Sequence, residues 1–146
     1  MKRLQRLAQA TAYFNNFRID GAACSVVVDQ ANAISVLANA SGDQLLISLP
    51  EEYESGRTTD DWSCRLSVAM FFIAKINGPA RTPQLARATY ARLLALAQAA
   101  VSRLSDDITG GGCWLMSGFT LTGLNAVPEY SIFGGWSGYS IELTLD

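Results

Sequence analysis

The 146-residue chain has the length of one domain, with eleven basic and thirteen acidic residues and a net charge of -2. Apolar residues make up 49% and charged residues 16% of it, which excludes intrinsic disorder, since disorder needs low hydrophobicity and high net charge. The charge balance also argues against a dedicated nucleic-acid binder, because phosphate recognition needs a basic face. We expect a single domain at 1–146. So low a share of charged residues indicates that part of its surface is covered, and we expect a subunit interface there.

The chain contains no histidine. This absence removes Ser-His-Asp and Cys-His nucleophile arrangements, the usual general base near neutral pH and every histidine-containing metal site. Cys24, Cys64 and Cys113 stand far apart, and three thiolates cannot form a four-thiolate zinc site. An odd number of spaced cysteines fits a reducing compartment. We expect no enzyme, no cofactor and no metal, and a carboxylate or cysteine site without histidine stays open as an alternative.

The N-terminal residues do not predict a targeting segment. They are basic, but polar residues interrupt their leucines too often for the apolar core of a signal peptide. No apolar run approaches the roughly 20 residues of a membrane span. We therefore expect the chain to stay in the cytoplasm where it is made, without a membrane partner or a sequence-specific nucleic-acid partner.

The first third of the chain predicts one helix and several strands. Leucines and alanines recur at helical spacing from Met1 to about Phe14. Three short strands are expected next, at residues 24–28, 34–37 and 44–49. Pro50 ends the third strand because proline has no N–H group for the ladder. The polar residues from Glu51 to Asp61 then predict a mobile surface loop.

An alternating segment and a long helix follow. From Trp62 to Met70 apolar and polar residues alternate as in a half-buried strand, and apolar residues extend it to Ile73. Thr82 and Pro83 predict a helix start, with a capping hydroxyl and then proline at the first helical position. This helix is expected to end near Leu104. After it we expect a strand at residues 115–121, an irregular loop at 123–135 and the last strand at 139–146.

The predicted order is one helix, three or four strands, a second helix and two strands (α-βββ-α-ββ). Short turns between consecutive strands favour a mostly antiparallel sheet with both helices packed on one face, so the predicted fold class is α+β. The sequence predicts a core between sheet and helices. Its expected members are Leu66, Val68, Phe72, Leu93, Ala97, Ile141 and Leu143.

None of the motifs that resemble catalytic or phosphate-binding sites is complete. Gly135-Trp136-Ser137-Gly138 lacks the spacing of a nucleophile elbow, and no histidine is available to activate the serine. Gly110–Gly112 lacks the lysine of a phosphate loop. Asp106-Asp107 is expected in a solvated loop after the long helix, where carboxylates oppose the helix dipole.

Three patches are candidates for contacts with other subunits or proteins. One is the small-residue face of the long helix, which lets another backbone approach closely, and a second is the aromatic segment before the last strand, since aromatic residues carry interface energy. The third is the polar loop. The candidate residues are Ala91, Ala95 and Gln98 on the helix, Phe133, Trp136 and Tyr139 in the aromatic segment, and Glu52, Tyr53 and Arg57 in the loop.

The chain resembles phage tail terminators, the minor tail protein U type of long-tailed phages. The resemblance spans most of the chain and rests on the order of elements and a few aromatic positions: the strand Leu45–Leu49, the Glu52–Glu54 loop, Asp61-Trp62 with the alternating strand, the long helix and the closing segment Trp136–Leu143. In that family a short N-terminal helix precedes this series. Residues 22–40 are long for the first strand and turn of the family.

The resemblance implies a structural virion protein that acts through its surfaces. Such a protein forms a ring, here expected to be a hexamer, on the finished tail tube. The ring ends tube polymerisation and presents a platform for joining the tail to the head. The implied partners are other copies of the chain, the tail tube protein and a head-completion protein. Assembly would take place in the cytoplasm, and the final location would be the virion tail.

A second family fits the size, the acidity and the predicted order of elements. The small chaperones of type III secretion effectors dimerise and hold an extended client segment on their surface. They usually close with another helix, whereas this chain is expected to close with a strand. A ring in solution would favour the terminator, and a dimer that co-purifies with an unfolded client would favour the chaperone.

Overall fold

The computed structural model describes residues 2–55, 63–76, 82–111 and 113–146. Over these residues the chain is α+β, with three α-helices and one mixed six-stranded sheet. The helices are α1 (Lys2–Asn15), α2 (Gln30–Leu37) and α3 (Pro83–Thr109), and a 3₁₀ helix spans Trp114–Met116. The strands are β1 (Ala23–Val27), β2 (Gln44–Ser48), β3 (Glu51–Ser55), β4 (Ser63–Lys75), β5 (Leu121–Ile132) and β6 (Trp136–Leu145).

The sheet is built around the long strands β4 and β6. The strand order is β1-β2-β4-β6-β5, and β3 pairs with β4 next to β2. Strand β2 pairs with residues 70–73 of β4 and β3 pairs with residues 63–67. Both lie on the side of β4 away from β6, separated at Pro50. Strands β1 and β5 therefore lie on opposite sides of the sheet.

Alternate residues of the central strands face two separate cores. On one face, β4 and β6 pack against both α1 and α3. On the other face, Leu46, Ile73 and Trp136 pack against the short helix α2. The predicted core is confirmed, since all seven of its residues are at most 2% exposed.

Over the described residues the sheet is mostly antiparallel, with four antiparallel strand pairs and one parallel pair, but the two-helix prediction was wrong because residues 34–37 form part of a third helix. Asp29 caps α2: its side chain accepts a hydrogen bond of 2.7 Å from the backbone N–H of Asn32. Ala33 and Leu37, one helical turn apart, are buried against the sheet. With this helix as the crossover, β1 and β2 run parallel. The helix also occupies part of the long 22–40 region.

The prediction for residues 115–135 was wrong in both parts. The expected strand begins as the 3₁₀ helix, and the expected loop is the twelve-residue strand β5. Glycine and proline within this segment resemble turn residues, but an edge strand accepts them because one of its sides needs no ladder bonds.

Two other elements differ in length from the prediction. Helix α3 continues to Thr109 and includes Asp106-Asp107, and β3 occupies the first five residues of the expected loop Glu51–Asp61.

A tyrosine–aspartate contact joins α1 to the last turns of α3. The Tyr13 hydroxyl donates a hydrogen bond of 2.6 Å to the Asp107 carboxylate, which also lies 3.9 Å from Arg103. Burial of the ring and the neighbouring carboxylate raise the pKa of Tyr13 well above its usual range. The contact therefore requires a neutral tyrosine.

Leu93→Ala is expected to lower the free energy of unfolding by about 2–5 kcal/mol, because it leaves a cavity between α3 and the sheet. Urea denaturation measures this loss. Leu94→Ala is the matched control: Leu94 is 36% exposed, whereas Leu93 is fully buried, so the loss at Leu94 should be smaller. Equal losses at the two positions would contradict the packing of α3.

Tyr13→Phe is expected to change how stability depends on pH. A tyrosine whose pKa is higher in the folded than in the unfolded chain stabilises the fold fully below the unfolded pKa of about 10. That contribution is lost as the pH rises towards the folded-state pKa. The stability advantage of wild type over Tyr13→Phe should therefore narrow above about pH 10, measured by urea denaturation across the pH range. Tyr130→Phe controls for the removal of an exposed hydroxyl, and an advantage independent of pH would contradict the prediction.

Candidate functional site: a groove between the long helix and the edge strand

Helix α3 and strand β5 form the two walls of a long apolar groove. The helix packs over β4 and β6, and β5 lies one strand further out. The helix-facing side chains of β5 are therefore left uncovered. We call this surface the α3–β5 groove. It is lined by Ala86, Arg87, Tyr90, Ala91, Leu94, Ala97, Gln98, Val101 and Ser102 of α3, by Leu124, Ala126, Pro128 and Tyr130 of β5, and by Tyr139 and Ile141 of β6.

Two hollows meet in this groove at Leu94. One, next to Val101 and Leu124, has a volume of about 340 Å³, and the other, next to Tyr90 and Tyr130, has about 560 Å³. The helix wall from residue 86 to residue 102 is about 24 Å long at 1.5 Å per residue. The groove is thus long enough for an extended segment.

Three tyrosines form one end of the α3–β5 groove. The ring centre of Tyr90 lies 5.9 Å from that of Tyr130 and 5.6 Å from that of Tyr139, the latter edge to face. The Tyr90 hydroxyl donates a hydrogen bond of 2.7 Å to the backbone carbonyl of Glu129, which ties α3 to β5. This aromatic end is held in place by contacts within the chain, and Tyr130, which is 70% exposed, can pack against a further ring.

Arg87 is the one charged residue among the lining residues, and it lies at the aromatic end. It is exposed and has no ion-pair partner in the described part of the chain. By contrast, Arg92 on the same helix makes a two-point ion pair with Asp43, at 2.7 and 2.9 Å. The groove therefore presents one uncompensated positive charge.

The walls of the α3–β5 groove expose large apolar side chains. Leu124 is 49% and Tyr130 70% exposed, and Leu94 is also accessible. Single exposed apolar residues are ordinary, but several that line one concave surface are typical of an interaction site.

The outer edge of β5 is a poor site for continuous strand pairing. Within the described residues β5 pairs only with β6. Pro128 sits in the middle of this edge strand and has no N–H group to donate to a further strand. Binding at this side of the sheet therefore depends on side-chain packing in the groove more than on backbone hydrogen bonds.

Residues from two of the predicted patches meet in this groove. Ala91 and Gln98, from the small-residue face of the helix, line it together with Tyr139 from the aromatic segment. Ala95 is exposed one turn from Ala91 but does not line the groove. Ala91, Gln98 and Tyr139 therefore belong to one continuous surface.

The other two residues of the aromatic segment lie on the opposite face of the sheet. Phe133 packs edge to face on Phe71, with ring centres 5.1 Å apart. Trp136 is 2% exposed and lies in the core beneath α2. Truncation of Trp136 would consequently destabilise the subunit as well as any interface.

Glu52 and Tyr53, two of the three candidate residues of the predicted loop, lie on β3, on the other side of β4 from β6 and β5. Glu52 accepts a hydrogen bond of 2.5 Å from the Cys64 thiol across the β3–β4 pair, and Tyr53 is 45% exposed. Arg57 lies outside the described residues. The α3–β5 groove and the loop candidates are thus two separate surfaces.

Sequence reasoning missed the β5 wall of the groove. Leu124, Ala126, Pro128 and Tyr130 recur at every second position, the period of a strand with one apolar face. That alternation could have identified the wall if glycine and proline had not indicated a loop. Trp114, which is 72% exposed on the 3₁₀ helix, was also missed.

Within the described ranges, no three His, Cys, Asp or Glu residues are grouped so that they could hold a metal ion. None of the helices described is both long and apolar enough to cross a membrane. No model of a known protein family matches the chain, and no curated protein matches it in sequence.

Tyr90→Phe is expected to lower the free energy of unfolding by about 0.5–1.5 kcal/mol, because it removes the hydrogen bond from α3 to β5. Tyr139→Phe is the matched control in the same cluster, since its hydroxyl has no hydrogen-bond partner in the described part of the chain. Urea denaturation of both variants measures the difference. Equal stabilities would contradict a structural role of this hydrogen bond.

Proposed function

We propose that the chain is a structural assembly protein that forms a ring on a phage tail tube, ends tube polymerisation and provides the platform for joining tail and head. The observation that carries this proposal is the α3–β5 groove, an apolar surface about 24 Å long that the single subunit leaves uncovered. Exposed apolar surfaces of this kind are typical of interaction sites, and a ring subunit would bury this one against a neighbour.

The shape of the groove supports a ring over a symmetric dimer. A concave surface is not complementary to itself, so it is expected to bind a different surface of the next copy. Contacts of this head-to-tail kind close into rings when the rotation between subunits allows it. The resemblance of the sequence pattern to tail terminators adds the tail tube protein and a head-completion protein as partners, the cytoplasm as the place of assembly and the virion tail as the final location.

The alternative is a chaperone that holds an extended segment of a client. The same groove favours it, because its length and its apolar walls suit an extended chain. The two proposals differ in what the purified protein forms. A terminator forms rings of identical subunits, and a chaperone forms dimers with a client bound.

The function is tested by particle mass and by tail length. Light scattering and electron microscopy of the purified protein are expected to show closed rings of several subunits, at least when the tail tube protein is present. Deletion of the gene from a phage that carries it is expected to give tails of uncontrolled length. A wild-type chain that stays monomeric at every concentration, even with tube protein, would contradict the proposal, and dimers with a bound client would support the chaperone.

Ala91→Glu is expected to convert rings into monomers, because it places a charge on the wall of the α3–β5 groove. Ala99→Glu is the matched control: Ala99 is also an exposed alanine of α3, but it does not line the groove. Light scattering measures the particle mass of each variant, and circular dichroism shows that both are folded. Rings of wild-type mass in Ala91→Glu would remove the groove from the interface.

A further inference from the structure

Strand β3 presents a second surface on the side of the sheet opposite the α3–β5 groove. Within the described residues β3 pairs only with β4, and β4 has β6 and then β5 on its other side. A contact between β3 of one copy and the groove of the next would therefore join opposite sides of the same sheet. Such a contact repeats from subunit to subunit, as a ring requires.

The chemistry of β3 complements that of the groove. Glu51 and Tyr53 are two positions apart, so both point to the same face of the strand. Glu51 is exposed and has no ion-pair partner in the described residues, and Tyr53 is 45% exposed. The groove offers a matching pair. Arg87, a cation without an ion-pair partner in the described residues, lies one helical turn from the ring of Tyr90.

The dimensions of the two surfaces also agree. Side chains two positions apart on a strand are separated by about 6.8 Å, and residues three apart on one helix face by about 5–6 Å. A five-residue strand spans about 17 Å, which fits within the groove length of about 24 Å. One carboxylate and one aromatic ring of β3 can therefore reach Arg87 and the tyrosine cluster together.

We propose that the occupant of the α3–β5 groove is β3 of a second copy of this chain. In this contact the ring of Tyr53 packs against the tyrosine cluster and the Glu51 carboxylate pairs with Arg87. The inference rests on the proposed ring function and names its subunit contact. Charge complementarity selects the neighbouring copy, since the groove holds the unpaired cation and β3 holds the unpaired carboxylate.

Charge reversal on each side tests this contact. Arg87→Glu alone and Glu51→Arg alone are expected to give folded monomers, because each places two like charges at the interface. The double variant Arg87→Glu/Glu51→Arg is expected to form rings again. Lys75→Glu is the control, an equal reversal at an exposed position outside the groove and outside β3, and it should keep the wild-type mass.

A mixture of the two single variants gives a sharper result. When they alternate around a ring, every contact joins one arginine to one glutamate, so the mixture is expected to form particles although neither variant does so alone. Light scattering measures the masses, and mass spectrometry of the particles measures the ratio of the variants, which is expected to be one to one.

The outcomes separate this inference from the proposed function. Rings that persist in Arg87→Glu would overturn the contact and leave the ring function in place. Monomers that neither the double variant nor the mixture restores would show that another surface, a tail tube subunit or an extended client occupies the groove, and would also overturn the contact. A wild-type chain that is monomeric under all conditions would remove both proposals.

Discussion

Strands β4 and β6 pair through ten consecutive residues, 66–75 of β4, and β2, β3 and β5 each pair with one of these two strands. The spacing of the two strands depends on Gly138. A Cβ atom at this position would collide with the carbonyl oxygen of Phe72 on β4 and lie 2.9 Å from a methyl group of Leu93 on α3. The missing side chain therefore allows β4, β6 and α3 to approach one another closely, and the position of the helix over the sheet follows from it.

The α3–β5 groove results from a difference between the width of the sheet and the width that the two helices on this face cover. Five strands at about 4.8 Å each span about 24 Å, whereas two helices side by side, about 10 Å each, cover about 20 Å. Helices α1 and α3 share the core on one face, and α1 contacts the β1 side of the sheet. The strand left without a covering helix is β5. The groove is thus a property of the architecture, and the sequence adds its apolar lining and the single arginine.

The alternation of the central strands and the apolar stripe of α3 were predictable, because each is a long pattern within one element. Helix α2 was not, since its apolar run Ile34–Leu37 is too short to distinguish a helix from a strand, and the deciding signal was the cap Asp29. Only part of the lining of the groove was predictable from the sequence. Ala91, Gln98 and Tyr139 follow from their own elements, but the residues that face them belong to β5, and the pairing of β5 beside β6 is a tertiary choice that no local pattern contains.

Pro128 has a consequence for how the edge of the sheet behaves in solution. Within the described residues β5 pairs only with β6, and an exposed long edge strand is a template for indiscriminate strand-by-strand aggregation. A proline in the middle of that edge interrupts the row of donors that such growth needs. This interruption opposes amyloid-like growth from β5, while the apolar walls of the α3–β5 groove beside the edge stay exposed. Backbone pairing would accept any extended chain, so the proline shifts selectivity at this edge towards the shape and charge of side chains.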